Sequence, residues 1–170
     1  SGNFGGIVQS GGLAVNISQM ASSQKCYISK LLSIGNAIDL SFPEFLNYFY
    51  NDKKTAIIGL YLESLKDEIS GRRFMKIAKK CNLHRKPIIL WKAGTGKYTK
   101  KAIKSHTGRL AGNKKIWEAM AKQTGCCFVN NSIELTSLVS AFKYTHLPAT
   151  RKIGLIGIGG GASIEASETL

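Results

Sequence analysis

The sequence lacks the features of membrane-spanning, secreted and disulfide-bonded proteins. None of its apolar runs approaches the roughly 20 residues that span a bilayer, and residues 1–4 do not begin a basic, then apolar, secretory leader. Its 4 cysteines include no Cys-x-x-Cys pair, and three of them lie in or beside apolar segments, which argues against a zinc site or a disulfide framework. We therefore expect a soluble, cytoplasmic protein with buried free thiols.

Acidic residues and prolines are also scarce. Asp and Glu number 10 against 24 Lys and Arg, so the formal net charge is +14, which favours an anionic ligand, an acidic partner or a nucleic acid. With only 3 prolines and 44% hydrophobic residues, the composition is that of a packed globular core and excludes a disordered chain. The length of 170 residues predicts one domain, or one domain with part of a neighbour.

Apolar segments alternate with segments of helical spacing along most of the chain. We predict strands at 5–9, 27–34, 55–62, 87–91 and 126–129. We predict helices at 13–21, at 42–50 after the N-cap Ser41, at 74–80, at 114–123 and at 133–142. Strands that alternate with helices predict a parallel α/β fold, here a flavodoxin-like, doubly wound sheet of five strands.

The last part of the sequence resembles the beginning of another unit. Pro148 to Thr150 suggests a boundary, which gives a first domain at 1–147 and a linker plus a severed second α/β domain at 148–170. In that second part we predict a strand at 152–158, a glycine turn at 159–161 and a helix from Ala162. The succession of strand, glycine turn and helix is thus predicted twice in the chain, from residue 5 and again from residue 152.

Residues that suit anion binding follow several predicted strands. In parallel α/β sheets, ligands bind at the carboxyl ends of the strands, where glycine turns and helix N-termini present free N–H groups. The segments concerned are Ser10-Gly11-Gly12, Gly35-Asn36, Glu63, Lys92-Ala93-Gly94 and Gly159 to Gly161. Tight turn geometry would also explain any one of these glycines, and the spacing matches neither a dinucleotide fingerprint nor a P-loop.

His106 is the histidine whose surroundings suggest chemistry. It lies in the longest stretch without a predicted strand or helix, from Gly94 to Asn113, and a segment of that length inside a domain is usually functional or disordered. A polar loop residue is the plain alternative. His84 and His146 have settings typical of structural residues, and no second His or Cys stands at metal-ligand spacing from His106.

Five motifs together resemble a known family. In chain order they are Gln9-Ser10-Gly11, Ser33-x-Gly35-Asn36-x-x-Asp39, Tyr61-Leu62-Glu63, Lys92-Ala93-Gly94 and Ser105-His106-Thr107-Gly108-x-Leu110-Ala111-Gly112. The order and spacing are similar to those of the NDP-forming acyl-CoA synthetases. The resemblance covers residues 4–147 and points to the second, flavodoxin-like domain of the α part of ADP-forming acetyl-CoA synthetase, a relative of the succinyl-CoA synthetase α subunit.

The resemblance implies a phosphoryl relay through His106. In this family a histidine takes a phosphoryl group from an acyl phosphate and passes it to a nucleotide, and Glu63 matches the glutamate that pairs with that histidine. An imidazole is nucleophilic at neutral pH once an acceptor fixes one ring nitrogen as N–H, which agrees with this role. A solvated strand-end carboxylate is the alternative for Glu63. The implied phosphate-binding residues are Ser10, Gly11, Gly12, Ser105, Thr107, Gly108, Gly160 and Gly161.

The resemblance also implies partners and cofactors that this stretch of sequence does not hold alone. CoA, ATP or ADP and Mg²⁺ would bind mainly to a CoA-binding domain and to an ATP-grasp domain or subunit, and the acid substrate would be a small carboxylate or its acyl-CoA. Gly35, Asn36 and Lys92 match positions that shape the same face as His106. The sequence leaves open the acyl group and the choice between ADP and GDP.

Three other functions stay open at this point. A regulatory or scaffold relative would keep the fold without the chemistry, and protein-acetyltransferase relatives carry a degenerate copy of this region without the histidine. The net charge alone would fit a nucleic-acid-binding module, although the lysine pairs are spread over several segments and no such motif is present. A receiver-like or flavin-binding domain shares the fold, but the first strand ends in Gln9-Ser10 without the acidic cluster of a receiver.

Overall fold

The protein has a five-stranded parallel sheet with helices on both faces. The computed structural model describes residues 2–94, 113–146, 150, 152 and 154–169. The strands are β1 (Phe4–Val8), β2 (Ile28–Ser33), β3 (Ile57–Leu62), β4 (Ile88–Lys92) and β5 (Cys127–Val129). Their order in the sheet is β2-β1-β3-β4-β5, the flavodoxin-like arrangement that the alternating pattern predicts.

Six helices are present in the described part of the chain. They are α1 (Gly11–Ser23), α2 (Phe42–Asn51), α3 (Glu68–Leu83), α4 (Lys114–Thr124), α5 (Ser132–Tyr144) and α6 (Gly160–Thr169). The predicted helix at 74–80 is therefore too short. Asp67 accepts a hydrogen bond from the Ser70 backbone N–H at 2.7 Å and starts α3 six residues earlier than its apolar spacing indicates.

Each face of the sheet has its own apolar core. Alternate strand residues such as Ile58 and Leu60 pack with Phe42, Phe49 and Phe74 from α2 and α3. On the other face, Phe4, Val8 and Ile89 pack with residues of α1 and α5, among them Ile17 and Leu135. Because the three central strands, β1, β3 and β4, are covered on both sides, they are nearly continuous in apolar residues.

Close packing explains one glycine of the central strand. A Cβ atom on Gly59 would lie 2.7 Å from the ring of Phe4, closer than side chains tolerate. Gly59 therefore lets the Phe4 ring cover β3 and complete the core of the α1 and α5 face.

The strand predicted at 152–158 is wrong for the residues that the structure describes. Residues 154–158 form no strand, and the side chains of Ile156 and Ile158 are fully exposed. A strand requires a neighbour to accept its backbone hydrogen bonds, and none of the five described strands pairs with this segment. The predicted turn is also shorter than expected, because Gly160 and Gly161 already belong to α6 and only Gly159, at φ 102°, has the left-handed conformation of a turn.

Candidate functional site

The ends of four strands meet at one edge of the sheet. Val8 pairs with Ser33 on β2 and with Tyr61 on β3, and Leu62 pairs with Lys92 on β4. The residues that follow each strand therefore lie side by side, as expected for a parallel sheet. We call this edge the carboxyl edge, and it brings together the predicted residues Ser10, Gly11, Gly12 and Glu63.

Gln9 connects two of these strand ends from inside the protein. Its side chain is buried, and its Oε1 accepts hydrogen bonds from the backbone N–H of Glu63 at 2.5 Å and of Ser64 at 3.0 Å. Its own backbone N–H donates to the carbonyl oxygen of Tyr61 at 3.2 Å. Gln9 thus fixes the main chain on which the Glu63 carboxylate is carried. In the sequence, Gln9 ends the first predicted strand and begins a motif, and neither feature predicts this connecting role.

Glu63 is a buried carboxylate with only 5% of its surface exposed. The Tyr61 hydroxyl donates to its Oε1 at 3.3 Å. Burial, and secondarily the charge of Glu63, raises the pKa of Tyr61 to about 12, so Tyr61 stays a neutral donor. The alternative of a solvated strand-end carboxylate is therefore wrong, because the structure removes this side chain from water.

Lys92 is buried beside Glu63, with 3% of its surface exposed. Its Nζ donates to the carbonyl oxygen of Glu63 at 2.7 Å and to that of Ala93, and it lies 5.4 Å from the ring centre of Trp117. Burial lowers the pKa of Lys92 to about 8, although the charge of Glu63 acts in the opposite direction. Glu63 and Lys92 are the two buried residues with acidic or basic side chains in the described part of the chain.

The N-terminus of α1 reaches the same edge. Ser10 is the N-cap, and its Oγ accepts a long hydrogen bond from the Leu13 backbone N–H at 3.4 Å. Gly11 and Gly12 form the exposed start of the helix, and among the described residues no atom outside the local backbone lies within 4 Å of a Cβ built on Gly12. Free N–H groups and the helix dipole give such a start a partial positive charge, and no acidic residue of the first turn offsets it.

An open cleft adjoins the carboxyl edge at the end of β2. It encloses about 370 Å³ and is lined mainly by apolar side chains, including Ile34, Ile38 and Phe45. Ser33 connects this cleft to the α1 start, because its Oγ lies 3.7 Å from the position of a Cβ on Gly11. After β2 the chain turns through Gly35, at φ 50°, and Ala37, at φ 49°.

The described structure does not connect the other six predicted site residues with this edge. Ser105, His106, Thr107 and Gly108 lie outside the described residues. Gly160 and Gly161 form the exposed first turn of α6, and no hydrogen bond between described residues connects them with the carboxyl edge. The pairing of Glu63 with His106 and the anion-binding role of the two glycines remain predictions.

His84 has the structural setting that its sequence indicated. It is the C-cap of α3, its Nδ1 lies 2.9 Å from the carbonyl oxygen of Lys80, and its ring packs edge to face against Tyr50. A histidine at a helix C-terminus can satisfy the last carbonyl groups. His84 therefore has a role in helix capping that requires no ligand.

All four cysteines carry free thiols, and Cys26, Cys81 and Cys126 are buried as predicted. Burial raises the pKa of Cys81 to about 12 and that of Cys126 to about 11, which keeps both thiols protonated and unreactive. Within the described ranges, no group of three or more His, Cys, Asp or Glu residues could hold a metal ion. None of the helices in these ranges is long and apolar enough to cross a bilayer.

Comparison with known proteins identifies the fold family. Residues 1–142 match the family described as the succinyl-CoA ligase like flavodoxin domain. The chain belongs to this family. The match favours the synthetase interpretation over the nucleic-acid-binding, receiver-like and flavin-binding alternatives, and it agrees with the observed strand order.

Similar proteins in this family are ADP-forming ligases. The chain is 36% identical over 169 residues to the α subunit of acetate–CoA ligase [ADP-forming] II from Pyrococcus furiosus, covering 99% of this chain and 36% of the relative. It is 39% identical over 163 residues to acetate–CoA ligase [ADP-forming] from Methanocaldococcus jannaschii, covering 96% of this chain and 22% of the relative.

A solved structure shows the same fold. It is the dinucleotide-forming acetyl-coenzyme A synthetase 1 of Ca. Korarchaeum cryptofilum in complex with phosphate and ADP, with a TM-score of 0.90 and 32% identity. The match covers 99% of this chain and 36% of that chain. The chain thus spans about a third or less of the length of these similar proteins.

Proposed function

We propose that this chain is the phosphoryl-carrying segment of an NDP-forming acyl-CoA synthetase, in which His106 is the residue phosphorylated. The observation that carries the proposal is the buried Glu63 carboxylate at the carboxyl edge, beside the open N-terminus of α1. A buried carboxylate is suited to hold an imidazole in one tautomer, and a helix N-terminus is suited to bind a phosphoryl group.

The proposed reaction has three steps. Phosphate displaces CoA from an acyl-CoA, which gives an acyl phosphate. One ring nitrogen of His106 then attacks the phosphorus, the P–O bond to the acyl group breaks, and the carboxylate leaves. Finally a terminal phosphate oxygen of ADP attacks the phosphohistidine, the P–N bond breaks, and ATP forms. All three steps are reversible, so ATP can also drive the synthesis of acyl-CoA.

Each residue of the carboxyl edge has a separate task in this proposal. Glu63 accepts a hydrogen bond from the other ring nitrogen of His106, so that the attacking nitrogen keeps its lone pair. The N–H groups at the start of α1, after Ser10, stabilise the negative charge of the phosphoryl group as it moves. Ser105, Thr107 and Gly108 would contact the same group from the histidine segment.

The substrates and partners follow from the similar ligases. We expect a small carboxylic acid, with acetate as the first to test because two similar proteins are named for it. CoA and the nucleotide would bind mainly to a CoA-binding domain and an ATP-grasp domain or subunit, in the cytoplasm. The described residues offer no metal-binding cluster, so we assign Mg²⁺ to the nucleotide and give it no ligand here.

The test is phosphorylation of His106 in the full-length protein, with its ATP-grasp part present. Incubation with labelled ATP and Mg²⁺ should give an acid-labile, alkali-stable label that H106A lacks. Acetate plus CoA should then discharge the label. Nucleotide binding without any label on His106 would overturn the relay and favour a regulatory or scaffold role.

A further inference from the structure

Two buried side chains of opposite charge stand next to each other at the carboxyl edge, and the proposed function uses only one of them. Lys92 ends β4 in register with Leu62, the last residue of β3, and Glu63 follows Leu62 directly. Removing an ammonium group from water is costly in free energy. An apolar side chain would fill the same volume at lower cost, so the burial of Lys92 requires a reason.

The hydrogen bonds of Lys92 are made to the main chain around the site. Its Nζ donates to the carbonyl oxygens of Glu63, at 2.7 Å, and of Ala93. Together with Gln9, whose Oε1 accepts the Glu63 backbone N–H, it holds both polar groups of the Glu63 main chain. The backbone that carries the carboxylate is therefore fixed from both sides.

A second lysine, two residues before the same strand, provides a contrast. Lys86 precedes β4 at the opposite edge of the sheet, and its Nζ donates to the carbonyl oxygens of Phe49, Tyr50 and Asp52 at 2.9, 2.8 and 2.7 Å. These are the last carbonyl groups of α2 and its C-cap, so Lys86 has an evident role in helix capping. Among the described residues, the hydrogen bonds of Lys92 go to the strand-end carbonyl groups of Glu63 and Ala93 and to no helix end.

We propose that Lys92 is a positioning residue for phosphoryl transfer, which fixes the Glu63 main chain and places a positive charge beside the Glu63 carboxylate. This inference rests on the proposed function. It gives Lys92 two effects: Glu63 is held in the orientation that His106 needs, and the charge lowers the cost of bringing an anionic phosphoryl group to a site that already contains a carboxylate.

The charge on Lys92 also predicts a pH dependence. Among the described residues, the titratable group beside Lys92 is Glu63, which in turn accepts from Tyr61, while α4 contributes the uncharged ring of Trp117. Since burial lowers the pKa of Lys92 to about 8, its charge is lost as the pH rises through that value. The rate of His106 phosphorylation should therefore fall above pH 8.

The experiment compares K92M, K92R and K86M in the full-length protein, by the single-turnover rate of His106 labelling from ATP. We expect K92M to label roughly 10- to 100-fold more slowly while its unfolding midpoint stays the same or rises. K86M should label at the normal rate and unfold at lower denaturant concentration. K92R keeps its charge above pH 8, so it should retain part of the rate and lose the decline at high pH.

The outcomes separate the two proposals. If the unmodified protein labels His106 and K92M does so at the same rate, the role of Lys92 is refuted while the proposed function stands. A K92M rate that falls only in proportion to its folded fraction would likewise refute it. If K92M does not fold, K92Q takes its place in the same assay, and a folded K92Q that labels at the unmodified rate contradicts the inference. Absence of label in the unmodified protein overturns both proposals.

Discussion

Charged residues lie at both edges of the sheet, but they keep contact with water at one edge and are buried at the other. At the opposite edge, where the strands begin and which we call the amino edge, Asp52 accepts from the Nζ of Lys30 at 2.6 Å and from the hydroxyl of Thr55 at 2.7 Å. The Thr55 hydroxyl also lies 2.7 Å from that of Ser29. Both charged side chains of this network keep contact with water. Lys86 adds its three bonds to the end of α2 at the same edge.

At the carboxyl edge the charges are deeper and their hydrogen bonds go mainly to the backbone. Glu63 and Lys92 are buried, and Lys92 and Gln9 bind the main chain of Glu63. Ser64 next to them has a buried hydroxyl without a hydrogen-bond partner in the described structure. The amino edge is arranged to connect strands and helices at low cost, whereas the carboxyl edge keeps costly buried charges, which is typical of functional sites.

The largest expected difference between the two edges is in the rate of His106 labelling. E63Q should slow the labelling of His106 about 100-fold or more, because an amide is a weaker acceptor for the imidazole N–H and carries no charge. D52N at the other edge should label at the normal rate and unfold more easily. The measurements are the single-turnover labelling rate and the urea unfolding midpoint of both variants. Equal labelling rates for E63Q and D52N would remove the functional distinction between the edges.

The two edges should also respond to pH in different ranges. The pKa of Lys92 is lowered to about 8 in the folded protein, so between about pH 8 and its ordinary value of 10.5 the unfolded chain holds a proton that the folded protein has released. This contribution to stability therefore increases with pH across that window. The raised pKa values of Cys81 and Cys126 act in the opposite direction, but they cancel when the unmodified protein is compared with K92M.

At the amino edge the sign is reversed and the range is acidic. Hydrogen bonds from Lys30 and Thr55 lower the pKa of Asp52 to about 2 from its ordinary 3.8, so the stabilisation from Asp52 is complete above pH 4 and is lost as the pH falls towards 2. Urea unfolding as a function of pH, with K92M and D52N as references, measures both ranges. A constant difference between the unmodified protein and K92M from pH 7 to 10.5 would contradict the lowered pKa of Lys92.

The smallest expected effect concerns two helix caps. S10A should cost about 0.5 kcal/mol of stability, because its cap hydrogen bond is long at 3.4 Å. S41A should cost about 1 kcal/mol, because it removes the hydroxyl that donates to Glu44 at 2.7 Å, whereas the backbone N–H of residue 41 still donates to Glu44. Urea unfolding of S10A and S41A, each compared with the unmodified protein, shows which substitution costs more stability. A larger loss for S10A would mean that the α1 start is held as firmly as a purely structural helix end.

Local patterns predicted most of the fold. Each of the five predicted strands matches an observed one within two residues at either end, since buried parallel strands require apolar runs that turn residues interrupt. The flavodoxin-like order was also expected. The strand at 152–158 failed for a physical reason: its apolar sequence fits a strand, but strand formation depends on a neighbour that the sequence pattern does not represent.

The same distinction between local pattern and tertiary contact applies to the residues of the candidate site. The sequence by itself determined that Ser10, Gly11, Gly12 and Glu63 follow strands, and the topology of a parallel sheet then places them at one edge. Only the tertiary structure decided that Glu63 is buried, that Gln9 holds its main chain and that Lys92 lies beneath Trp117 without access to water. Burial and hydrogen bonding join residues far apart in the chain, 54 positions for Gln9 and Glu63, so no local pattern encodes them.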